Sequence, residues 1–424
     1  MKKVLIITYY WPPCGGAGVQ RWLKISKHLS QFGWLPTIIT TENGDYPFYD
    51  SSLLREVPKE MNVVRTKTPS FKNILSIFGY KEKQLPYGSL ETKTNDAFSK
   101  RLIYYIRAQF VAPDARVIWN RYGLREAEKL IKENDFQAVI TTGPPHSSHL
   151  IGLNLNKKYG ITWLVDLRDP WTNIYYYQSA KRNFVIKAID RYFENKVITK
   201  ADAVITVSEH IAKSLKRRDI KVIHNAFDSI DYLPYNYKAS NIFRIKFVGN
   251  LNASRKDEII RFIMKLDKLC VIDNLNIEFS VIGEQEDFAK DLFTERIVIR
   301  NTGFLSHKNV IEECVNSELL LLLINRAEVN KGILTFKLFE YLGSQTKILG
   351  LGPTDGDAAK ILRESNTGIM YDYHDLDGYT KYIKGVYESW TGNKLERNIQ
   401  DLNKYSVSFT TEMIVKVLQS LSLS

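Results

Sequence analysis

Cysteine is scarce in this chain. Cys14, Cys270 and Cys314 are widely spaced and odd in number, which argues against a disulfide framework or a zinc site and for a reducing cytosol. Long apolar runs are missing too. No stretch reaches the roughly 20 residues of a bilayer-spanning helix. The start, Met1-Lys-Lys-Val-Leu-Ile-Ile-Thr, has an apolar run too short for a signal peptide and reads better as a first buried strand. Arg-rich blocks and nucleic-acid motifs are absent, which sets nucleic acid below other anionic partners. There is no close internal repeat and no low-complexity tract.

What is present describes a globular protein of more than one domain. At 424 residues the chain is too long for one ordinary core. Hydrophobic residues make up 44% and charged ones 25%, a soluble composition. The net charge of +12 favours phosphorylated ligands and an anionic membrane surface.

The first half alternates strands and helices. Val4 to Thr8 reads as a strand, Tyr9 to Gly18 as a loop, Val19 to Phe32 as an amphipathic helix ended by Gly33, and Pro36 to Thr40 as a strand. Gly16-Ala-Gly18 looks like half of a dinucleotide fingerprint. Arg21, however, stands where the third glycine belongs, and the loop is too long and Pro-rich, so NAD binding is rejected here. Gly15, Gly16 and Gly18 still let a ligand approach the backbone. Asn43 to Asn95 is irregular. Ala97 to Val111 reads as a helix with Lys100, Arg101 and Arg107 beside an apolar face. It either docks on its own domain or, through Phe98 to Val111, lies on an anionic leaflet.

Two polar clusters follow strands: Gly143-Pro-Pro-His-Ser-Ser-His149 and Asp166-Leu-Arg-Asp-Pro-Trp171. Carboxyl ends of strands are where α/β sheets keep their chemistry. His146, Asp166, Arg168 and Asp169 could therefore converge, although each alone could be a turn or capping residue. After Asp231 to Asn241, a Tyr/Pro-rich linker, a second α/β pattern begins. Arg255 and Lys256 follow its first strand, and Gly283 ends its second. The apolar run Leu319 to Ile324 is a buried strand. Thr335 to Leu342 then reads as a short helix, with Gly343 as its C-cap, before a strand at Lys347 to Leu351. Lys337 lies in the first turn of that helix and Glu340 one turn later on the same face. A cation for a diphosphate and a carboxylate for ribose hydroxyls suit a nucleotide sugar, whereas a solvated Lys–Glu pair is the plainer alternative.

The segment Thr335-Phe-Lys-Leu-Phe-Glu-Tyr341 resembles the P-x-K-x-F-E-Y signature of retaining GT-B glycosyltransferases of family 4, in the subgroup common in bacterial surface-polysaccharide clusters. Thr335 replaces the proline, while Lys337, Phe339, Glu340 and Tyr341 match. The P-P-x-x-x-H and D-x-R-D-x-W clusters match as well. His224-Asn-Ala-Phe-Asp228 resembles the P-N-G-V-D turn that closes the family's first domain. The resemblance implies an α/β fold of two Rossmann-like domains facing across a cleft. Residues 1–228 would be the acceptor side, 229–242 a linker, 243–400 the nucleotide-sugar domain, and 401–424 a helix crossing back to the first domain.

By the same resemblance, Gly16, Arg255, Lys256, Gly283, Lys337 and Glu340 would hold the donor, a UDP- or GDP-linked sugar. Asp166 and Arg21 would lie on the acceptor side, and Asp169, His146 and Arg168 would serve the reaction. Asn250 stands where the family commonly has an arginine, and Gly332 where it has the first glutamate of E-x7-E; Glu328 is out of register. No Asp-x-Asp tripeptide stands out as a metal site and no carboxylate as a nucleophile, so metal-independent transfer without a cofactor is expected. Asp169 or His146 would place an acceptor hydroxyl that loses its proton to the departing phosphate. The expected function is retaining transfer of a hexosyl or N-acetylhexosaminyl group to a lipid-linked or oligosaccharide acceptor. Its expected setting is capsule, O-antigen or exopolysaccharide synthesis in the cytoplasm, with peripheral attachment to the inner membrane face. The alternatives are a non-catalytic GT-B-like subunit and a sugar-nucleotide epimerase.

Overall fold

The computed structural model describes residues 1–46, 48–69, 109, 111–174, 182–251, 253–283, 293–397 and 402–421. The chain divides into two compact units: Met1–His224 with Ser408–Ser424, and Asn225–Val407.

In chain order the first unit contains β1 (Lys2–Ile7), α1 (Ala17–His28), β2 (Trp34–Thr41), β3 (Asn62–Thr66), α2 (Asn120–Glu133), β4 (Phe136–Gly143), α3 (His149–Tyr159), β5 (Trp163–Leu167), α4 (Phe184–Lys200), β6 (Ala203–Thr206), α5 (Glu209–Ser214) and β7 (Lys221–Val222). Its strands form one parallel sheet in the order β3-β2-β1-β4-β5-β6-β7. Inner strands buried on both faces explain the unbroken apolar runs at Val4–Ile7 and Val139–Ile140. Strand order reverses between β1 and β4, which opens a crevice at their carboxyl ends.

The second unit contains β8 (Phe243–Val248), α6 (Ala253–Asp273), β9 (Ile277–Ile282), β10 (Val298–Gly303), α7 (His307–Val315), β11 (Leu319–Leu323), α8 (Phe336–Ser344), β12 (Lys347–Leu351), α9 (Asp357–Glu364), β13 (Gly368–Tyr371) and α10 (Leu376–Thr391). Its parallel sheet runs β10-β9-β8-β11-β12-β13, so the reversal falls between β8 and β11. The last helix, α11 (Val407–Leu421), returns to the first unit, where Ile414, Val415 and Leu418 are buried in the core.

Several expectations need correction. Gly343 does not cap α8. It lies inside the helix, and Gln345 takes the left-handed cap with φ 56°. A Cβ at Gly343 would lie 2.5 Å from the Tyr232 ring, so this glycine serves close packing. Residues 43–69 are less irregular than composition suggests: Ser51–Glu56 forms a 3₁₀ helix and β3 pairs with β2. α1 starts at Ala17, with Gly16 (φ 92°) as the residue before it. α6 starts at Ala253 rather than Asp257, which places Arg255 and Lys256 in its first turn. Residues 229–242 are fastened to the second unit, because Tyr232 donates to the Glu340 carbonyl at 2.8 Å and Tyr237 to Glu318 at 2.7 Å. The helix expected at Ala97 to Val111 falls almost wholly outside the described residues.

Candidate functional site

In the first unit the sequence clusters gather at the β1/β4 reversal. Asp166, at the end of β5, is fully buried. Arg21 grips it with Nε at 3.3 Å and a second nitrogen at 3.2 Å, while Trp22 Nε1 donates at 2.7 Å and the Thr142 hydroxyl at 3.0 Å. Arg21 also donates to the carbonyls of Ile223 at 3.0 Å and His224 at 2.7 Å. Both groups are thus engaged within the protein. They tie α1 to β5 and to the end of β7 rather than presenting free polar atoms.

Arg168 works similarly one turn outward. Its guanidinium donates to three carbonyls: Gly143 at 3.2 Å, Pro144 at 2.8 Å and Gly18 at 2.6 Å. One side chain therefore joins the first turn of α1 to the end of β4 and to the segment after β5. A Cβ at Gly18 would sit 3.3 Å from that guanidinium, a tight contact. Half-buried Asp169, next in sequence, has no hydrogen-bond or ion-pair partner among the described residues and caps no described helix. Burial raises its pKa, opposed by Arg168 and reinforced by Asp166.

Beside it, His146 stacks on Trp171 with ring centroids 5.0 Å apart and planes 10° off parallel. Both His146 nitrogens are buried, and neither makes a well-formed hydrogen bond to the described residues. Burial pushes its pKa well below 6.5, helped by His149 and Arg168. His149, which opens α3, is a member of the cluster that its sequence position left open. Its Nδ1 meets the Thr141 hydroxyl at 2.9 Å, and burial lowers its pKa to about 3. Gly143 admits both imidazoles, since a Cβ there would lie 2.6 Å from His149 Nε2 and 2.8 Å from His146 Nδ1. Trp171 is anchored in turn: its indole N–H donates to Asp190 at 3.0 Å, and Asp190 pairs with Arg182.

In the second unit the candidates gather at the β8/β11 reversal. Buried Glu340 is 2.5 Å from Lys337 Nζ and 2.9 Å from His307 Nε2. Its Oε2 is close to the ammonium but poorly directed for a hydrogen bond, so the contact is mainly Coulombic. Burial would raise the Glu340 pKa, but Lys337 and then His307 hold it at about 2. His307 begins α7, thirty-three positions away, and no local spacing points to it. Arg255 reaches across the reversal, its Nε donating to Asn325 Oδ1 at 2.6 Å. Half-buried Lys256 has no hydrogen-bond or ion-pair partner among the described residues. Gly283 (φ 145°) ends β9 against the Gly249 carbonyl, which a Cβ would approach to 2.5 Å. The signature's tyrosine is structural: the Tyr341 hydroxyl accepts the N–H of Val248 at 2.9 Å and so fixes the end of β8. Gly332 carries no side chain to replace the missing glutamate, and Glu328 is exposed.

Each unit therefore places loops, cations and carboxylates at the strand ends where its sheet reverses. Residues 86–229 match the model of Glycosyltransferase Family 4. No curated protein matches the sequence. Among solved structures, the chain is similar to a glycosyltransferase from Rickettsia africae, at TM-score 0.61 and 13% identity over 99% of this chain and 98% of that one. It is also similar to a variant of S. aureus TarM in a complex that includes UDP, at TM-score 0.57 and 12% identity over 100% of both chains. A third is a putative UDP-N-acetylglucosamine 2-epimerase from Listeria monocytogenes, at TM-score 0.52 and 12% identity over 99% of this chain and 96% of that one. At such identities the likeness speaks for the fold, which is the α/β fold of two Rossmann-like domains found in GT-B glycosyltransferases.

Proposed function

We propose that the protein is a retaining glycosyltransferase that moves a sugar from a nucleotide-diphospho-sugar to a lipid-linked saccharide. The observation that carries this reading is the Lys337–Glu340–His307 cluster at the start of α8, beside the β8/β11 reversal. An ionised carboxylate can accept two ribose hydroxyl bonds. Lys337, Arg255 and Lys256 lie at two helix starts, where backbone N–H groups add partial positive charge for a diphosphate. UDP in the TarM complex makes a uridine nucleotide the first donor to try. These cations stabilise the leaving diphosphate as the glycosidic bond breaks.

Asp169 receives the acceptor hydroxyl, because its carboxylate is not already used by the described protein. Arg168 holds the first turn of α1 and the end of β4 around it. His146, neutral through burial, contributes shape and a hydrogen-bonding nitrogen rather than charge. Arg21 and Asp166 act as a buried strut beneath the acceptor side. The reading places the protein in the cytoplasm, in surface-polysaccharide synthesis.

The test is a thermal-shift screen against UDP-, GDP-, ADP- and CMP-sugars, since a ligand specific to the folded state stabilises it by mass action. One nucleotide class should raise the melting temperature. Lys337→Ala should weaken that donor by about 1.5–3 kcal/mol, the scale of a charge-assisted bond. Absence of any shift, or full donor affinity in Lys337→Ala, would remove the site. Donor turnover with no sugar transferred to any acceptor would favour an epimerase.

A further inference from the structure

Arg116 is a buried cation, only 8% exposed, that no described residue neutralises by contact. Its backbone N–H donates to the Asp114 carboxylate at 2.9 Å, and Asp114 also takes the N–H and the hydroxyl of Ser147, each at 2.8 Å. Asp114 thus spends itself on backbone and on the residue next to His146. The Arg116 guanidinium makes one long hydrogen bond, to the Asp45 carbonyl at 3.4 Å. Its Nε is buried with no hydrogen-bond partner, and it forms no ion pair among the described residues. Arginine does not shed its proton in a protein, so burial leaves this group charged. Buried charges are ordinarily paired and hydrogen-bonded. The other buried arginines of this unit obey that rule. Arg21 pairs with Asp166 and Arg182 with Asp190, and Arg168 donates to three carbonyls. Arg116 departs from it.

Residues 114–119 lie across the carboxyl ends of three strands. Ser147 follows β4, and Trp119 donates its indole N–H to Thr66, the last residue of β3, at 2.7 Å. Tyr9, just after β1, stands edge-on to Trp119 with ring centroids 5.5 Å apart. Tyr10 and Tyr9 lie within electrostatic reach of the guanidinium. From Tyr9 the aromatic row continues to Tyr46 at 6.4 Å and on to Tyr49 at 5.4 Å, and Tyr49 is 59% exposed. The guanidinium therefore lies about two rings in from the surface, among aromatic walls that keep the local dielectric low and strengthen any charge pair formed there. The Cys14 thiol feels both Arg116 and Arg168, which puts Arg116 on the crevice that holds Asp169. We infer that Arg116 is an oxyanion subsite of this crevice and takes the carboxylate or phosphate of an acidic saccharide. A guanidinium fork meets such a group through two parallel bonds, and the ligand supplies the countercharge that the fold withholds. That this saccharide is the acceptor rests on the proposed transfer reaction, whereas oxyanion binding at Arg116 does not.

The test is calorimetric titration of the full chain with glucuronate, glucose 6-phosphate and glucose. The parent should bind one of the two acids about tenfold more tightly than glucose, and the acid preferred tells a carboxylate-bearing saccharide from a phosphorylated one. Arg116→Gln keeps hydrogen-bond donors but removes the charge, and should lower the affinity for that acid about tenfold, to the level of glucose. Lys337→Ala should leave it unchanged, because that cation belongs to the second unit. Arg116→Met should melt no lower than the parent, since it removes a buried charge that has no ion pair and keeps the apolar stem. Equal binding of the acids and glucose, or undiminished binding of the acid by Arg116→Gln, overturns the proposal. Loss of acid binding in Lys337→Ala overturns it too, by assigning the acid to the other unit. So does a lower melting temperature in Arg116→Met, which would assign the guanidinium to the fold. A parent that a nucleotide sugar stabilises, but that binds acidic and neutral sugars alike, loses the subsite and keeps the transfer reading. Arg116-dependent acid binding without any nucleotide-sugar shift does the reverse.

Discussion

Glu340 is ionised although it is buried, and this depends on its neighbours. Burial alone would raise its pKa above the ordinary 4.5, but Lys337 and then His307 pull it to about 2. A folded value below the unfolded one gives stability that is fully present above about pH 4.5 and is lost as pH falls toward 2. In Lys337→Met the carboxylate would keep only His307, and the poorly compensated charge should cost about 1–3 kcal/mol at pH 7. Between pH 4.5 and 3 the gap from the parent should narrow, because the variant's Glu340 takes up a proton that the parent's refuses. Urea unfolding at a series of pH values measures this, and a gap that stays constant with pH would show that the two groups are uncoupled. The Lys337–Glu340 half of this cluster is legible from three-residue spacing on one helix. His307 is not, since it arrives from α7 and only the fold brings it near. Asp166 and Arg21 show the converse case: they stand out in sequence beside a catalytic-looking motif, yet in the structure they satisfy each other.

At the scale of elements, α8 shows what replacing the signature proline has done. Thr335 precedes the helix with φ −68° and ψ 146°, a conformation proline adopts without strain. Its hydroxyl is buried with no hydrogen-bond partner among the described residues and does not cap α8. Thr335→Pro should therefore stabilise the protein by about 0.5–1.5 kcal/mol, by removing an unsatisfied polar group and restricting the unfolded chain. Equilibrium unfolding of the two proteins would decide, and a loss of stability would mean that the backbone before Thr335 rejects the ring. Most central strands were readable because they are continuous apolar runs; Lys347–Leu351 has the same bounds in sequence and structure. Two of the edge strands were not. Asn62–Thr66 and Gly368–Tyr371 are short and partly exposed, so neither a run nor a clean alternation marks them. The start of α6 was hidden because Asn252-Ala-Ser-Arg has loop composition, and Gly343 misled because its missing side chain answers to Tyr232 and not to a turn.

Across the whole molecule, the first unit is assembled from two separate lengths of chain. Ile414, Val415 and Leu418 on α11 pack into a core otherwise built from the first 224 residues. Ending the chain at Val407 would leave that core open. Burial of three such side chains corresponds to roughly 5–8 kcal/mol, most of the stability of an ordinary domain. The truncated chain should therefore show a first unit that is unfolded or readily cleaved by protease, while a nucleotide sugar still protects the second. Limited proteolysis with and without the donor would read both, and an equally resistant first unit would show that α11 is dispensable. The same connectivity has a consequence for biosynthesis. Domains tend to fold as they leave the ribosome, N-terminal first. Here the earliest-made unit cannot be completed until the later one has been translated in full, so its apolar groove stays uncovered throughout that interval and offers a surface on which a nascent-chain chaperone would act.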